Sequence, residues 1–293
     1  MKHYLRLNET IKGEADQVIP ASVSIQREDN ILAKPEEWMV SIERFVLHGV
    51  RLPLFDPSRF PLVIGIQEAS GTIHYDTVDF TGYKETDGYI YDLENVSDAI
   101  TATLDSIGSG MGIASGDRPT FTFNDKTGFF SLNTNSTFRA SFDVVFNDNM
   151  MWYWSTFLFE TADDEFYRVR TNGDTETQDV KTLEFLSPVN RIVIETFDMP
   201  VEYELMPPVN GSISNQIAIF LTDYDYTQQS NQSLQKISYQ SSLADHRYHN
   251  LLREDNFNRF NLNFVWYDFD GNKHQIYLLP QSSATVKIEF YRP

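Results

Sequence analysis

Three groups of residues have the types and spacing to do chemistry. His246 and His249, in the run HRYH, stand three positions apart. On a helix that spacing would offer two imidazoles from one face, half of a metal site. Asp223 and Asp225 in TDYDY, and Asp268 and Asp270 in YDFDGN, are spaced two apart. On extended chain both carboxylates of such a pair lie on one side, where they could share a calcium ion or divide into acid and base. Trp152-Tyr153-Trp154 is a run of three rings that could stack on a sugar.

Each group also has a plainer reading, and the plainer one is stronger. The histidine pair has no third ligand nearby, so surface or capping roles suit it better. DFDGN departs from a calcium loop because no Glu follows at its twelfth position, and turn-forming Asp accounts for both acidic pairs. The aromatic triad sits among Met150, Met151, Phe157, Leu158 and Phe159, the composition of a core or a subunit interface. No P-loop, no GxGxxG after a strand, no GxSxG elbow and no HExxH occurs. The sequence therefore assigns no catalytic residue, no metal ligand and no cofactor. Five Asn-x-Ser/Thr sequons, at Asn8, Asn95, Asn135, Asn210 and Asn231, read as chance, because MKHYLRLNET lacks the basic-then-apolar form of a secretory leader.

Composition narrows the class that must position these residues. The 293 residues suffice for one large core or two smaller ones. Aromatic residues make up 14%, with 22 Phe and 15 Tyr, and they favour pleated, half-buried surfaces. No apolar run approaches the roughly 20 residues that span a bilayer. With no cysteine, disulfides, zinc–thiolate sites and cysteine catalysis are all excluded. The formal charge of -19 argues against nucleic acid as a direct partner, since phosphate binding needs clustered Lys and Arg. That charge is uneven: residues 76–187 hold 20 acidic side chains against 7 basic, the remaining 181 residues 22 against 16. A solvated face explains the acidic middle, with a cation or basic-receptor site as the sharper alternative.

Periodicity divides the chain into β, mixed and β again. Strand patterns occupy 23–26, 39–47, 64–67 and 72–80, punctuated by Pro53, Pro57 and Pro61. Leu93, Val96, Ile100, Leu104 and Ile107 then recur every three or four residues, predicting a helix capped by Asp92 and stopped near Gly108. A hairpin follows over 119–132, a strand over 138–146, and an aromatic helix over 150–159 capped by Asn147 or Asp148. Strands resume at 191–197, 201–205, 216–222 and 235–240, with a short helix or irregular crossover at 245–255. The last thirty-five residues read as three antiparallel strands, 260–269, 274–279 and 285–291, turning at Asp270-Gly271-Asn272 and Pro280-Gln281-Ser282-Ser283. In the last, Val286, Ile288 and Phe290 face one way and Thr285, Lys287 and Glu289 the other. Roughly ten strands suit a two-sheet sandwich. The expected organisation is a mainly β, single jelly-roll β-sandwich in two halves, 1–83 and 183–293, around an inserted α+β domain, 84–182.

The order of these elements resembles the penton, or minor capsid, proteins of virophages and polinton-like viruses. The matching passages are SVSIQREDNI and EEWMVSIERFVLHGVRLPLF near the start, PTFTFNDKTGFFSL and FNDNMMWYWSTFLF in the insert, and IAIFLTDYDY, YHNLLRED, NLNFVWYDFDGNKHQIYLL and ATVKIEFYR at the end. The resemblance implies a viral structural protein without catalytic residues: a jelly-roll base with an upper insertion, five copies filling each icosahedral vertex. Its implied partners are four further copies, the major capsid protein and, through the insertion, a host receptor. Its implied location is the virion, after assembly in the host cytoplasm. Lys2, Arg6 and Lys12 are the only clear cations of the N-terminal segment, so no genome-binding arm is present; on this reading residues 1–19 form an arm ordered only on assembly. A spike or carbohydrate-binding jelly roll, and a β-sandwich glycoside hydrolase using the Asp pairs, are the competing classes.

Overall fold

The hydrophobic parity of the run MVSIERFVLHGV changes halfway. Val40 and Ile42 are buried, then Phe45 and Leu47, so one residue between them must be extra. In the computed structural model, which describes residues 1–10, 18–59, 61–171, 173–180, 186–196, 198–199, 201, 216–221, 235–240, 248–252 and 257–293, that residue is Glu43. Lys287 pairs with Arg44 and Ile288 with Ile42, a β-bulge that leaves Glu43 unpaired in the ladder.

The chain opens with β1 (Lys2–Thr10), β2 (Ile19–Pro20), β3 (Ser22–Gln26) and β4 (Met39–Val50). It then enters a second contact unit spanning 53–188. There it forms β5 (Val63–Glu68), β6 (Ile73–Thr77), α1 (Leu93–Gly110), β7 (Thr120–Asn124), β8 (Phe129–Asn133), α2 (Ser136–Arg139), β9 (Phe142–Asn147), α3 (Asp148–Tyr153), β10 (Phe159–Thr161), β11 (Phe166–Val169) and β12 (Thr175–Thr177). It returns with β13 (Arg191–Glu195), β14 (Gln216–Leu221), β15 (Gln235–Gln240), β16 (His249–Asn250), β17 (Arg259–Tyr267), β18 (Lys273–Gln275) and β19 (Tyr277–Tyr291).

The first unit is a two-sheet jelly-roll sandwich. One sheet runs β1-β19-β4-β15, with β16 also beside β4 and β2 beside β19; the other runs β14-β13-β17-β18, with β3 also beside β17. Alternate residues of facing strands fill the space between them. Phe45 meets Phe264 at a ring separation of 5.4 Å, and Phe257 stacks on Phe260 at 5.5 Å and meets Phe290 edge-on at 6.1 Å.

The second unit is α+β. Its larger sheet runs β10-β11-β9-β5-β6, its smaller one β12-β8-β7. Asp92 caps α1 by accepting from Glu94 N, and Leu93, Val96, Ile100, Leu104 and Ile107 are buried, as the period predicts. The Thr101 hydroxyl of α1 both donates to Phe121 O and accepts from Phe121 N at 2.8 Å, tying the helix to β7.

The structure departs from the sequence reading in several places. Strands 63–68 and 73–77, assigned to the base, pair with each other, and the first pairs also with β9. The unit boundary accordingly falls at 53 and 188, not at 84 and 182; alternation identifies a strand but not its sheet. The last three strands do not share one sheet. β17 and β18 pair, then the chain crosses at the fully buried Ile276, and β19 joins the opposite sheet between β1 and β4. The segment 280–283 is an irregularity within β19 rather than a turn, with the register shifting between Leu278 and Ser283. It is accommodated by Gly49 on β4, at φ +72°, whose carbonyl accepts from the Ser282 hydroxyl at 2.8 Å. A Cβ on Gly49 would lie 1.8 Å from Ser282 Oγ.

The N-terminal segment is not an arm awaiting assembly over residues 2–10. It pairs with Ser283–Tyr291 through nine consecutive positions, because Leu5 and Leu7 alternate with Lys2, Tyr4 and Arg6 as a half-buried strand requires. Residues 11–17 lie outside the described residues. The helix expected over 150–159 is shorter, Asp148–Tyr153, with Asn147 as its cap, and the strand expected from 138 begins at 142 after the short α2.

Candidate functional site

Asp268 and Asp270 do not converge. Asp268 directly follows β17 and is 7% exposed. Its carboxylate accepts from Asn272 N at 2.7 Å and Asn272 Nδ2 at 2.9 Å, and lies 3.2 Å from His274 Nε2. Burial pushes its pKa up, but these hydrogen bonds from Asn272 and His274 outweigh it and hold the group below the usual carboxylate range. His274 in turn stacks on Trp266 with ring centroids 4.0 Å apart. Asp270, two residues on, is exposed in the turn. The pair is the hairpin corner that turn chemistry predicts.

His249 lies on extended chain in β16, paired with Val40, so it does not present a helical i, i+3 face; of the short helix or irregular crossover expected over 245–255, only 248–252 are among the described residues. His246, Asp223 and Asp225 lie outside the described residues, as do the sequons at Asn210 and Asn231. Among the described residues, no three His, Asp or Glu side chains gather as a metal site. Asn135 caps α2 by accepting from Phe138 N at 2.8 Å, and its amide donates to Asp117 Oδ1 at 2.7 Å. In the aromatic triad, Trp154 is fully buried, Tyr153 is 2% exposed and only Trp152 reaches solvent. Trp154 lies edge-on to Phe121 and Phe130 at 5.4 and 5.5 Å. It is a core residue, not a sugar platform.

A cleft of about 290 Å³ in the second unit is lined by Asp56, Ser58, Phe80, Lys84, Asp87 and Tyr89 among others. Its carboxylates serve their own loops. Asp56 accepts from Ser58 N and Oγ at 2.9 and 2.6 Å, and Asp87 from Tyr89 N and Tyr91 OH at 3.1 and 2.6 Å. These are turn geometries with no orphaned group aimed at a ligand.

What the sequence missed is a device used twice, once on the outer face of each sandwich sheet. Glu289, 2% exposed, is held by the Lys2 ammonium of β1 and accepts from Tyr248 OH at 3.0 Å. Glu195, 5% exposed, is held by Lys273 of β18 and accepts from Tyr267 OH at 3.0 Å, while the Arg191 guanidinium lies 4.6 Å over the Tyr267 ring. Each buried carboxylate thus has a cation and a phenol as partners, as burial of charge demands. The hydrogen bond to Glu289 raises the Lys2 pKa above the usual lysine range. Burial, with Glu289 as a second cause, raises that of Tyr248. Beside the first clasp, Lys287 donates to Glu43 Oε1 at 2.7 Å and sits 4.5 Å over the Tyr4 ring. No local signal marks these groups, because Lys2 and Glu289 come from opposite ends of the chain.

The consequence is architectural. The clasps tie down the terminal strands, and the chain ends meet beside them: the Met1 ammonium donates to Arg292 O at 2.7 Å, Arg292 N to Met1 O at 2.9 Å, and the Arg292 guanidinium pairs with Glu37. Around this rigid frame the large apolar side chains left exposed in the sandwich unit include Tyr4, Leu252, Phe269 and Tyr277. Among the described residues no helix is long and apolar enough to cross a membrane.

No family model matches the chain, and no curated protein does. Solved structures do. The chain is similar to the mavirus penton protein, at 38% identity over 99% of this chain and 100% of that one, with a TM-score of 0.85. It is also similar to a chain of the Sputnik virophage structure, at 17% identity over 99% and 98%, with a TM-score of 0.74, a likeness of fold alone. A match of this identity over nearly the whole of both chains leads to one conclusion: the chain belongs to the virophage penton proteins and is a minor capsid protein, a structural component of the virion.

Proposed function

We propose that five copies close around a fivefold axis at each capsid vertex, with the jelly-roll unit as the base beside the major capsid protein. The observation that carries this reading is the full-length, 38% identical match to the mavirus penton protein. A ring of five requires a heterologous contact, in which one flank of a protomer meets the other flank of the next. The clasped sheets supply rigid flanks for it, and the exposed Tyr4, Phe269 and Tyr277 supply contact points. The second unit faces outward and offers the surface for a host receptor; its excess of acidic side chains and its solvated ion pairs suit exposure. Assembly takes place in the host cytoplasm, with neither a reaction nor direct genome contact assigned to the chain.

Sedimentation and low-resolution imaging test this reading. Fivefold rings, formed alone or with the major capsid protein, are expected. Monomers at high concentration in both conditions would overturn it.

A further inference from the structure

Strand β6 forms one edge of the larger sheet in the second unit. Antiparallel ladders turn alternate residues toward and away from a partner. Glu68 N donates to Thr72 O at 2.9 Å, and Val78 N to Leu62 O at 2.8 Å. Given the register Ile66↔His74 and Ile64↔Asp76, residues 72, 74, 76 and 78 address β5, and Ile73, Tyr75 and Thr77 turn their backbone groups outward. The Thr77 N–H is taken by the Asp76 carboxylate at 2.8 Å. The outward groups of Ile73 and Tyr75 have no backbone partner among the described residues.

Beside this edge lies a groove of about 500 Å³, walled by Ile73, His74, Tyr75 and Asp76 of β6 and by Ser106, Ile107, Gly110 and Met111 at the end of α1 and just beyond it. A strand edge flanked by a helix is the geometry in which an extended peptide adds as a further strand, its alternate side chains entering the groove. The apolar part of that groove is formed by Ile73, Ile107 and Met111. Asp76 is its one carboxylate, His74 already has Glu68 as a partner at 3.1 Å, and no lysine or arginine is among the lining residues. The last turn of α1 itself carries no basic residue, and Arg118, which packs on Gly108, commits its guanidinium to Asp105 Oδ1 at 2.8 Å and Ile113 O at 2.9 Å.

From the open edge, the groove and its charge we infer that β6 binds an extended basic peptide segment of a partner by strand addition. The peptide's backbone pairs with Ile73 and Tyr75, and a lysine or arginine reaches Asp76 and the end of α1. Every residue of this site belongs to one unit of one chain, so its test needs no assembly.

The test uses the whole protein and a fluorescent octapeptide alternating lysine and valine, read by anisotropy. Saturable binding is expected, weakened about tenfold or more when glutamate replaces the lysines and lost when alternate peptide amides are N-methylated. Asp76→Lys should reverse the preference between the lysine and glutamate peptides. Absence of saturable binding, or binding indifferent to N-methylation and to Asp76→Lys, would overturn the inference. The N-methylated probe decides the matter even if the variant folds poorly.

Discussion

In the sandwich unit Glu289 and Glu195 are buried beneath Lys–Tyr clasps, whereas in the second unit the ion pairs Arg170–Glu160 and Arg139–Asp174 lie at or near the surface, with Asp174 79% exposed. Aromatic residues also differ in their use. In the sandwich, Phe45, Phe264, Phe260 and Phe290 come singly from alternate positions of facing strands; in the second unit, Trp154 is the hub of a pile that includes Phe121, Phe130 and Phe146. A sheet sandwich distributes its core along the strands and has to fix its chain ends, so it spends buried charge on latches. A small α+β unit gathers its core around one large side chain and leaves its charge to hydration.

The largest test of this contrast is Trp154→Ala. Removing a fully buried indole costs about 3 to 5 kcal/mol, and the loss should fall on the second unit. Calorimetry should show one transition moving down by many degrees while the sandwich transition stays. Equal shifts of both would show that the cores are not separate.

Gly49→Ala strikes the sandwich instead. Left-handed strain and the collision with Ser282 together should cost about 2 to 4 kcal/mol. Adding Ser282→Gly removes the collision and leaves the strain, so urea midpoints should recover partly in the double variant. Full recovery would mean that the backbone angle at Gly49 is unimportant; none would mean that the contact is.

The clasps come next. Glu289→Ala removes the acceptor of Lys2 and Tyr248 and should cost about 1 to 3 kcal/mol, with hydrogen exchange rising along Lys2–Thr10 first. Asp174→Ala, the surface counterpart, should cost less than about 1 kcal/mol. If the two losses are equal, the distinction between latch and solvation collapses.

The legible parts of this molecule are those whose causes are local. Asp92 and the three-or-four spacing after it mark α1; Asn124 and Gly128, at φ +74°, mark the hairpin of β7 and β8, with the Asn124 side chain accepting from Lys126 N and Thr127 N. Where the cause is distant, local pattern misleads. Pro280-Gln281-Ser282-Ser283 has turn composition, yet Gly49 across the ladder lets β19 run through it. Glu289 alternates with apolar residues as a solvent-facing position should, yet Lys2 and Tyr248 cover it. The strands at 63–68 and 73–77 look like those of the sandwich, and only the pairing of the first with β9 places them elsewhere. The site residues divide likewise: the turn role of Asp268 follows from DFDGN, while the core role of Trp154 against the exposure of Trp152 depends on rings from β7, β8 and β9.

Asp268 and Asp270 carry the contrast between held and hydrated charge down to two residues. The folded Asp268 carboxyl lies below its ordinary value, so its contribution is whole above the ordinary pKa of about 3.9 and is lost as pH falls through the lower folded value. Asp268→Asn should cost about 1 kcal/mol near neutral pH, because an amide cannot accept at both oxygens from Asn272 and His274 together. That deficit should shrink as urea titrations are moved below the ordinary carboxylate value of about 3.9 and on toward the lowered folded one. Asp270→Asn, in the exposed turn, should stay within about 0.5 kcal/mol at every pH. A deficit for Asp268→Asn that holds constant into acid would mean that shape rather than charge fixes the corner. An acid-dependent deficit for Asp270→Asn would mean that the two carboxylates act as the pair their spacing first suggested.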